Sequence, residues 1–313
     1  MNRQPLPCGY TISMANGGTY TIQHLIGEGG FALIYSADTV GGTSSVVIKE
    51  FFPSNGAFRN QYGKVVPTVG SEESFRRNLS RFECEGAIGG KVSEFSFQAI
   101  PFLKISTGYA VMKRKSEDMR SLSDIIKNWE KTKPAPVTGN SADQDPVFTD
   151  MIRVRYALRI IESVLAALSG VHDNGYLHLD ISSRNVIWAG RDVDTGENCE
   201  AFLADFGCSV EMDSGEYHPE CQLSYSPGFA APEVQTGCNR FTPATDLYSV
   251  GILLFYLCVG ENALEITRNR KRQIQRESAY LSIPKRLLTE LQRIIIVATD
   301  AMSIRYQTAG SML

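Results

Sequence analysis

Six short motifs, strung in one order between Gly27 and Leu254, constrain this chain more than any other feature of its sequence. They are G-E-G-G-F-A-L-I-Y (27–35), V-V-I-K ending at Lys49, H-L-D-I-S-S-R-N-V (178–186), L-A-D-F-G around Asp205, A-A-P-E (230–233) and T-D-L-Y-S-V-G-I-L-L (245–254). Glycines between two strands let the backbone approach phosphate oxygens and aim N–H groups at them, because no Cβ intervenes. A lysine closing an apolar strand needs an anion beside it, and Glu83 or Glu85 on the following helix can supply one. Asp180 and Asn185 stand five apart on a loop, where one can take a hydroxyl proton and the other can ligate a metal through its amide oxygen. Asp205, before a flexible glycine, suits a carboxylate that reaches a metal. Each motif also has a plainer explanation: a tight turn, a solvated edge-strand lysine, or a pair of turn formers.

The rest of the chain sorts into two characters. From Tyr20 to Lys49 the pattern is strand, glycines, strand, turn, strand, as in an antiparallel sheet. Residues 71–92 have helical spacing, although Gly86, Gly89 and Gly90 each cost about 1 kcal/mol in a helix interior and weaken its end. F-Q-A-I-P-F-L-K-I and G-Y-A-V-M predict two further strands, and a boundary falls near Lys115. Beyond it, Ile152 to Val171 carries apolar residues at helical spacing. Residues 131–146, rich in proline and polar side chains, form an aperiodic surface loop between two helices. The division is 1–19 as an N-terminal extension, 20–114 as a β-rich part and 115–313 as a helical part.

Composition removes several classes. A net charge of −3 provides no field for nucleic acid or anionic lipid. Seven cysteines without C-x-x-C pairs do not make a disulfide framework, which points to a reducing cytoplasm. No run approaches the ~20 apolar residues of a membrane span, and residues 250–259 suit a buried core helix.

Taken together and in order, the six motifs resemble the signature set of protein kinases, closest to bacterial serine/threonine kinases of the eukaryotic type. The resemblance runs from about Tyr20 to Leu313, with I-G-E-G-G-F and V-I-K-E-F-F-P typical of the bacterial group. It implies an α+β, two-lobed protein-kinase fold: an antiparallel β-sheet lobe with one αC helix, then a mainly helical C-terminal lobe. It implies ATP with Mg²⁺, or Mn²⁺ in its place, and a protein substrate. Nucleotide contacts then fall to Gly27, Glu28, Gly29, Gly30, Ala32, Ile34, Val47, Lys49, Glu85, Met112, Lys113 and Lys115. Met112 takes the gatekeeper position, Lys113 to Lys115 the hinge, and Glu85 the αC glutamate, with Glu83 as the alternative. Asp180 is the proton acceptor, Arg184 a cation near the phosphoryl group, and Asn185 and Asp205 the metal ligands. Glu233 pairs with Arg305 in a structural role. The resemblance also suggests a cytoplasmic protein or the cytosolic part of a longer one; it does not fix the oligomeric state.

Several positions depart from the family pattern. Leu179 stands where many kinases carry an arginine that binds a phosphorylated activation loop, so activity is expected not to depend on such phosphorylation. Ser182 replaces a lysine, and Arg184, spaced as in tyrosine kinases, substitutes for that charge. Ser226 stands where serine/threonine kinases carry a threonine, favouring that specificity. The insertion after Lys49 predicts a flap before αC, and with the glycines it suggests a helix that swings. The basic run 268–276 reads as a solvated helix face. The losses at 179 and 182 leave two other readings open, a nucleotide-binding pseudokinase and a small-molecule kinase of related fold.

Overall fold

The β-branched and aromatic runs of the first half build a sheet; the computed structural model describes residues 3–13, 18–41, 45–92, 103–105, 107–113, 119–132, 146–189, 200–212, 225–237, 240–267 and 269–313 of the chain. The chain divides into two units, Met1–Glu117 and Asp118–Leu313, against an expected boundary after residue 114.

The first unit contains β1 (Thr11–Ser13), β2 (Thr19–Glu28), β3 (Ala32–Thr39), β4 (Ser45–Phe51), a hairpin of β5 (Ala57–Arg59) and β6 (Val65–Pro67), α1 (Glu72–Lys91), β7 (Leu103–Ile105) and β8 (Thr107–Lys113). Six strands form one antiparallel sheet in the order β1-β2-β3-β4-β8-β7. Because side chains alternate along a strand, the two faces of β3 and β4 serve different partners. On one face Leu33, Tyr35, Val46 and Ile48 are buried with Leu6, Ile12, Phe52, Ala57 and Val65. On the other, Ala32 and Phe51 are buried with Phe82 of α1, and Phe75 and Leu79 pack beside them.

Two segments expected to be peripheral contribute to this unit's core, one as a strand of the sheet and one as a separate hairpin packed on it. Residues 3–13, read as part of an extension, add β1 and bury Leu6. The segment after Lys49, read as a flap, is the β5–β6 hairpin, whose Ala57 and Val65 are core residues. Helix α1 runs unbroken through Gly86, Gly89 and Gly90 to Lys91. Gly86 and Gly89 are buried. They stand three apart on one helix face, so the propensity cost of about 1 kcal/mol each falls on residues buried on that face.

The second unit contains β9 (Arg120–Ser121), α2 (Leu122–Thr132), α3 (Pro146–Asp173), β10 (Tyr176–Leu177), β11 (Val186–Ala189), β12 (Glu200–Leu203), β13 (Val210–Glu211), α4 (Pro232–Gln235), α5 (Pro243–Val259), α6 (Arg270–Ser278), α7 (Lys285–Ala298) and α8 (Ala309–Met312). Helix α5 is its axis. At its start the Thr242 N–H donates to Thr245 Oγ1 at 3.2 Å, Pro243 opens the helix, and every residue from 244 to 258 is buried. A Cβ on Gly251 would lie 2.6 Å from the Ala298 Cβ, so glycine allows α5 and α7 to touch. Along α3, Val154, Ala157, Ile161, Val164, Leu168 and Val171 are buried at helical spacing, and the helix packs on α5. Among the described residues no helix is long and apolar enough to cross a membrane. Most of the expected loop at 131–146 lies outside the described residues, as do Lys115 and Arg268.

Candidate active site

In the first unit the site begins with β4. Lys49 pairs in register with Ile34 of β3 and Ala110 of β8, and Val47 pairs with Ser36 and Met112. Alternation puts Ile34, Val47 and Lys49 on the face that carries α1. Lys113 pairs with Val46 in the same ladder. The Lys49 Nζ donates to Glu85 Oε1 at 2.5 Å, with the two side chains 13% and 11% exposed, and it lies 5.7 Å from the centre of the Phe82 ring. Glu85 is thus the partner that Lys49 meets, while Glu83 sits half-buried on the same helix. Taking an ammonium largely out of water is costly, and such a carboxylate offsets that cost.

The glycine-rich turn joins β2 to β3. Gly27 and Glu28 pair with Ile34 and Leu33, and the Gly29 N–H donates to the Ala32 carbonyl at 2.9 Å. A Cβ on Gly30 would meet nothing within 4 Å, and one on Gly29 only the Ala32 oxygen at 3.7 Å. Neither glycine has a left-handed φ. Crowding and torsion therefore do not demand glycine here, whereas an anion lying against the backbone would.

In the second unit the loop after β10 holds Asp180. Its Oδ1 accepts the Ser226 N–H at 2.7 Å, and its Oδ2 accepts Asn185 Nδ2 at 2.7 Å. The Asn185 amide nitrogen also donates to the Asp180 carbonyl at 2.9 Å. That use of the nitrogen leaves Oδ1 as the atom Asn185 can offer a cation. Burial pushes the Asp180 carboxyl above its ordinary range; bonds from Ser226 and the nearby His178 oppose this, and the charge of Asp205 adds to it. Asp205 has a left-handed φ of 65° just before Phe206. Phe206 in turn packs on the His178 ring at 4.8 Å.

Two features of this loop escape its motif. Leu179 is buried with φ 62°, a conformation costing about 1–3 kcal/mol for a leucine. It is held there by Asp246 of α5, whose carboxylate accepts the Leu179 N–H at 2.7 Å, the His178 N–H at 2.9 Å and His172 Nε2 at 2.9 Å. Asp246 is fully buried. Burial acts to raise its pKa, but the bonds and charges of His172 and His178 outweigh it and hold the group below the usual range. Leu179 itself lies in an apolar cluster with Leu177 and Cys208, against which Val210, Met212 and Phe241 pack. The sequence showed only that an arginine was missing.

Arg184 is exposed, and Ser182 is buried with no hydrogen-bond partner for its hydroxyl among the described residues. The expected Glu233–Arg305 pair is present as a fork, at 2.6 and 3.2 Å, with the guanidinium 4.8 Å from the Tyr248 ring centre. Among the described residues no group of three or more metal-ligating side chains occurs. One carboxylate and one amide oxygen nevertheless fit Mg²⁺, which takes few protein oxygens and fills its shell with water and phosphate.

Residues 140–300 match the family described as protein kinase domain. The chain is 26% identical over 311 residues to serine/threonine-protein kinase F of Synechocystis sp., covering 95% of this chain and 54% of that protein. It is 34% identical over 104 residues to calcium/calmodulin-dependent protein kinase type 1 of Caenorhabditis briggsae, a stretch covering 33% of this chain and 27% of that protein. The chain therefore spans no more than about half the length of these relatives. Among solved structures it is similar to PpkA-294 in its apo form, with TM-score 0.67, 24% identity and 98% of both chains covered. It is also similar to the Mycobacterium tuberculosis PknI kinase domain, with TM-score 0.60, 18% identity and 98% of both chains covered. The motifs read in order, the antiparallel sheet with its Lys49–Glu85 pair and this match over more than half of the chain have one conclusion: the chain belongs to the protein kinase domain family.

Proposed function

We propose that the protein is an active kinase that transfers the γ-phosphoryl group of ATP to serine or threonine hydroxyls of other proteins. The observation that carries the reading is Asp180: a carboxylate raised toward neutrality by burial, fixed through both oxygens by Ser226 and Asn185. Such a group orients a hydroxyl and takes its proton. Lys49, fixed by Glu85, holds nucleotide phosphates, and the turn at 27–32 presents backbone N–H groups to them. Asn185 Oδ1 and Asp205 hold Mg²⁺, or Mn²⁺, which when bound neutralises charge on the phosphate oxygens. Met112, Lys113 and Lys115 are assigned to the adenine side by family likeness. Arg184, exposed beside Asn185, supplies the cation that Ser182 does not.

Ser226 beside Asp180 supports serine/threonine preference. The apolar cluster around Leu179 supports independence from activation-loop phosphorylation, because packing of Cys208, Val210 and Met212 does there what an arginine–phosphate contact would otherwise do. The residues present suit a cytosolic protein or domain.

The test is transfer from labelled Mg-ATP to a generic protein substrate. Wild type should label serine and threonine, and Asp180→Asn should lose at least about 10³-fold in rate. Nucleotide binding without transfer by the wild type would instead establish a pseudokinase, the reading that the losses at 179 and 182 favour.

A further inference from the structure

The glycine-rich turn is fastened from outside the six motifs. Arg3 Nη1 donates to the Gly29 carbonyl at 2.8 Å, the Phe52 carbonyl at 2.9 Å and the Ala32 carbonyl at 3.3 Å, and its Nη2 reaches Glu28 Oε2 at 3.4 Å. The Arg3 side chain is only 11% exposed. The two remaining carbonyls of the turn are held from the same side, Phe31 by the Phe52 N–H and Gly30 by the Ser54 N–H, each at 2.9 Å. One guanidinium thus bridges both ends of the turn and the start of the segment that leads from β4 to the β5–β6 hairpin.

Arg3 itself is held in place. The Leu6 N–H donates to the buried Tyr35 hydroxyl at 3.1 Å, the Gln4 carbonyl accepts Arg59 Nε at 3.0 Å, and the Gly9 N–H donates to the Ile22 carbonyl at 2.8 Å. The two N–H groups of Nη1 are shared among the three carbonyls while Nη2 turns to Glu28, an arrangement fixed by the planar guanidinium that a flexible ammonium would reproduce only in part.

The geometry points to Arg3 as a positioning residue, a latch that holds the glycine-rich turn in one conformation and thereby sets nucleotide affinity. This rests on the turn being the phosphate-binding element proposed above. A turn with two adjacent glycines samples many conformations when free, and binding must then carry the entropy of ordering it. With its carbonyls fixed on one side, the turn is ordered before the nucleotide arrives.

The experiment compares wild type, Arg3→Ala and Arg3→Lys by hydrogen exchange and by calorimetric binding of a Mg-loaded non-hydrolysable ATP analogue. In Arg3→Ala, exchange at residues 29–33, 52 and 54 should quicken about tenfold, while the central pairing of β3 with β4 stays protected. The dissociation constant should rise roughly three- to tenfold, and kcat at saturating ATP should stay within about twofold, since only preorganisation is lost. Arg3→Lys should fall between the two, and it carries the test if Arg3→Ala does not fold. Unchanged exchange and affinity would overturn the latch, as would loss of protection throughout β2–β4, which marks a merely structural role. A wild type that binds no nucleotide would overturn the functional reading instead; the exchange arm would still decide whether Arg3 orders the turn.

Discussion

Lys49 and Glu50 are neighbours on β4, point to opposite faces of one sheet, and are both charged, yet their surroundings differ in kind. Lys49 meets Glu85 across the gap between a strand and a helix, and both side chains keep a little exposure. Glu50 is fully buried and accepts Arg59 through both oxygens, at 2.8 Å each, and the Tyr35 hydroxyl at 2.8 Å. Burial first, and then the charge of Glu50, drives the Tyr35 hydroxyl well above its ordinary pKa, so it stays protonated and donates. Arg59 also lies 5.1 Å from the Phe52 ring centre and donates to the Gly63 carbonyl. One face therefore holds a charge in a closed network that fixes the hairpin to the sheet. The other keeps a charge that a phosphate can share. A buried pair that is fully enclosed fixes structure; one left near the surface can do chemistry.

The contrast is tested most strongly by removing one partner from each face. Arg59→Ala leaves a buried carboxylate without its fork and should cost about 3–5 kcal/mol of stability, read by denaturant unfolding. Glu85→Gln should lower kcat/KM for ATP about tenfold to a hundredfold and cost less stability than Arg59→Ala, because Lys49 keeps some exposure and can turn toward water. Equal losses of stability in the two variants would erase the distinction between the faces.

The motifs made one of these faces legible and left the other dark. Lys49, Asp180, Asn185 and Asp205 could be named because the chemistry proposed for them constrains their spacing and order. Glu50, Arg59 and Arg3 bind one another or backbone carbonyls, and nothing in the local sequence marks a charge destined for a carbonyl many residues away. Asp246 is intermediate. Its motif was visible, but its work, holding the His178 and Leu179 N–H groups, depends on a loop 67 and 68 residues earlier. Residues 1–19 look like an extension in the sequence because the three-residue strand T-I-S within them carries too little periodicity to register. By propensity alone the glycines of α1 weaken the helix, because propensity knows nothing of the face on which Gly86 and Gly89 are buried.

Smaller effects sharpen the account of the second unit. Because the Asp180 carboxyl is raised above its ordinary 3.8, its proposed role as the base means that activity should fall as pH drops through that raised value. The acid limb of kcat against pH should therefore lie at higher pH than a free aspartate would give, and a limb at or below 3.8 would contradict it. Smallest of all should be the effect of replacing Ser214, Tyr217, Ser224 and Tyr225 together by alanine; the first three lie outside the described residues. The rate should stay within about twofold of wild type, since the Leu179 cluster makes no use of a phosphate. A collapse of the rate would show that phosphorylation is required after all.

The most direct measurement is anomalous scattering from Mn²⁺ in crystals grown with a non-hydrolysable ATP analogue. The account predicts a metal peak bonded to Asn185 Oδ1 and the Asp205 carboxylate, with the analogue's phosphates against Lys49. Metal and nucleotide bound elsewhere, or an Asn185 whose oxygen points away from the ion, would contradict it.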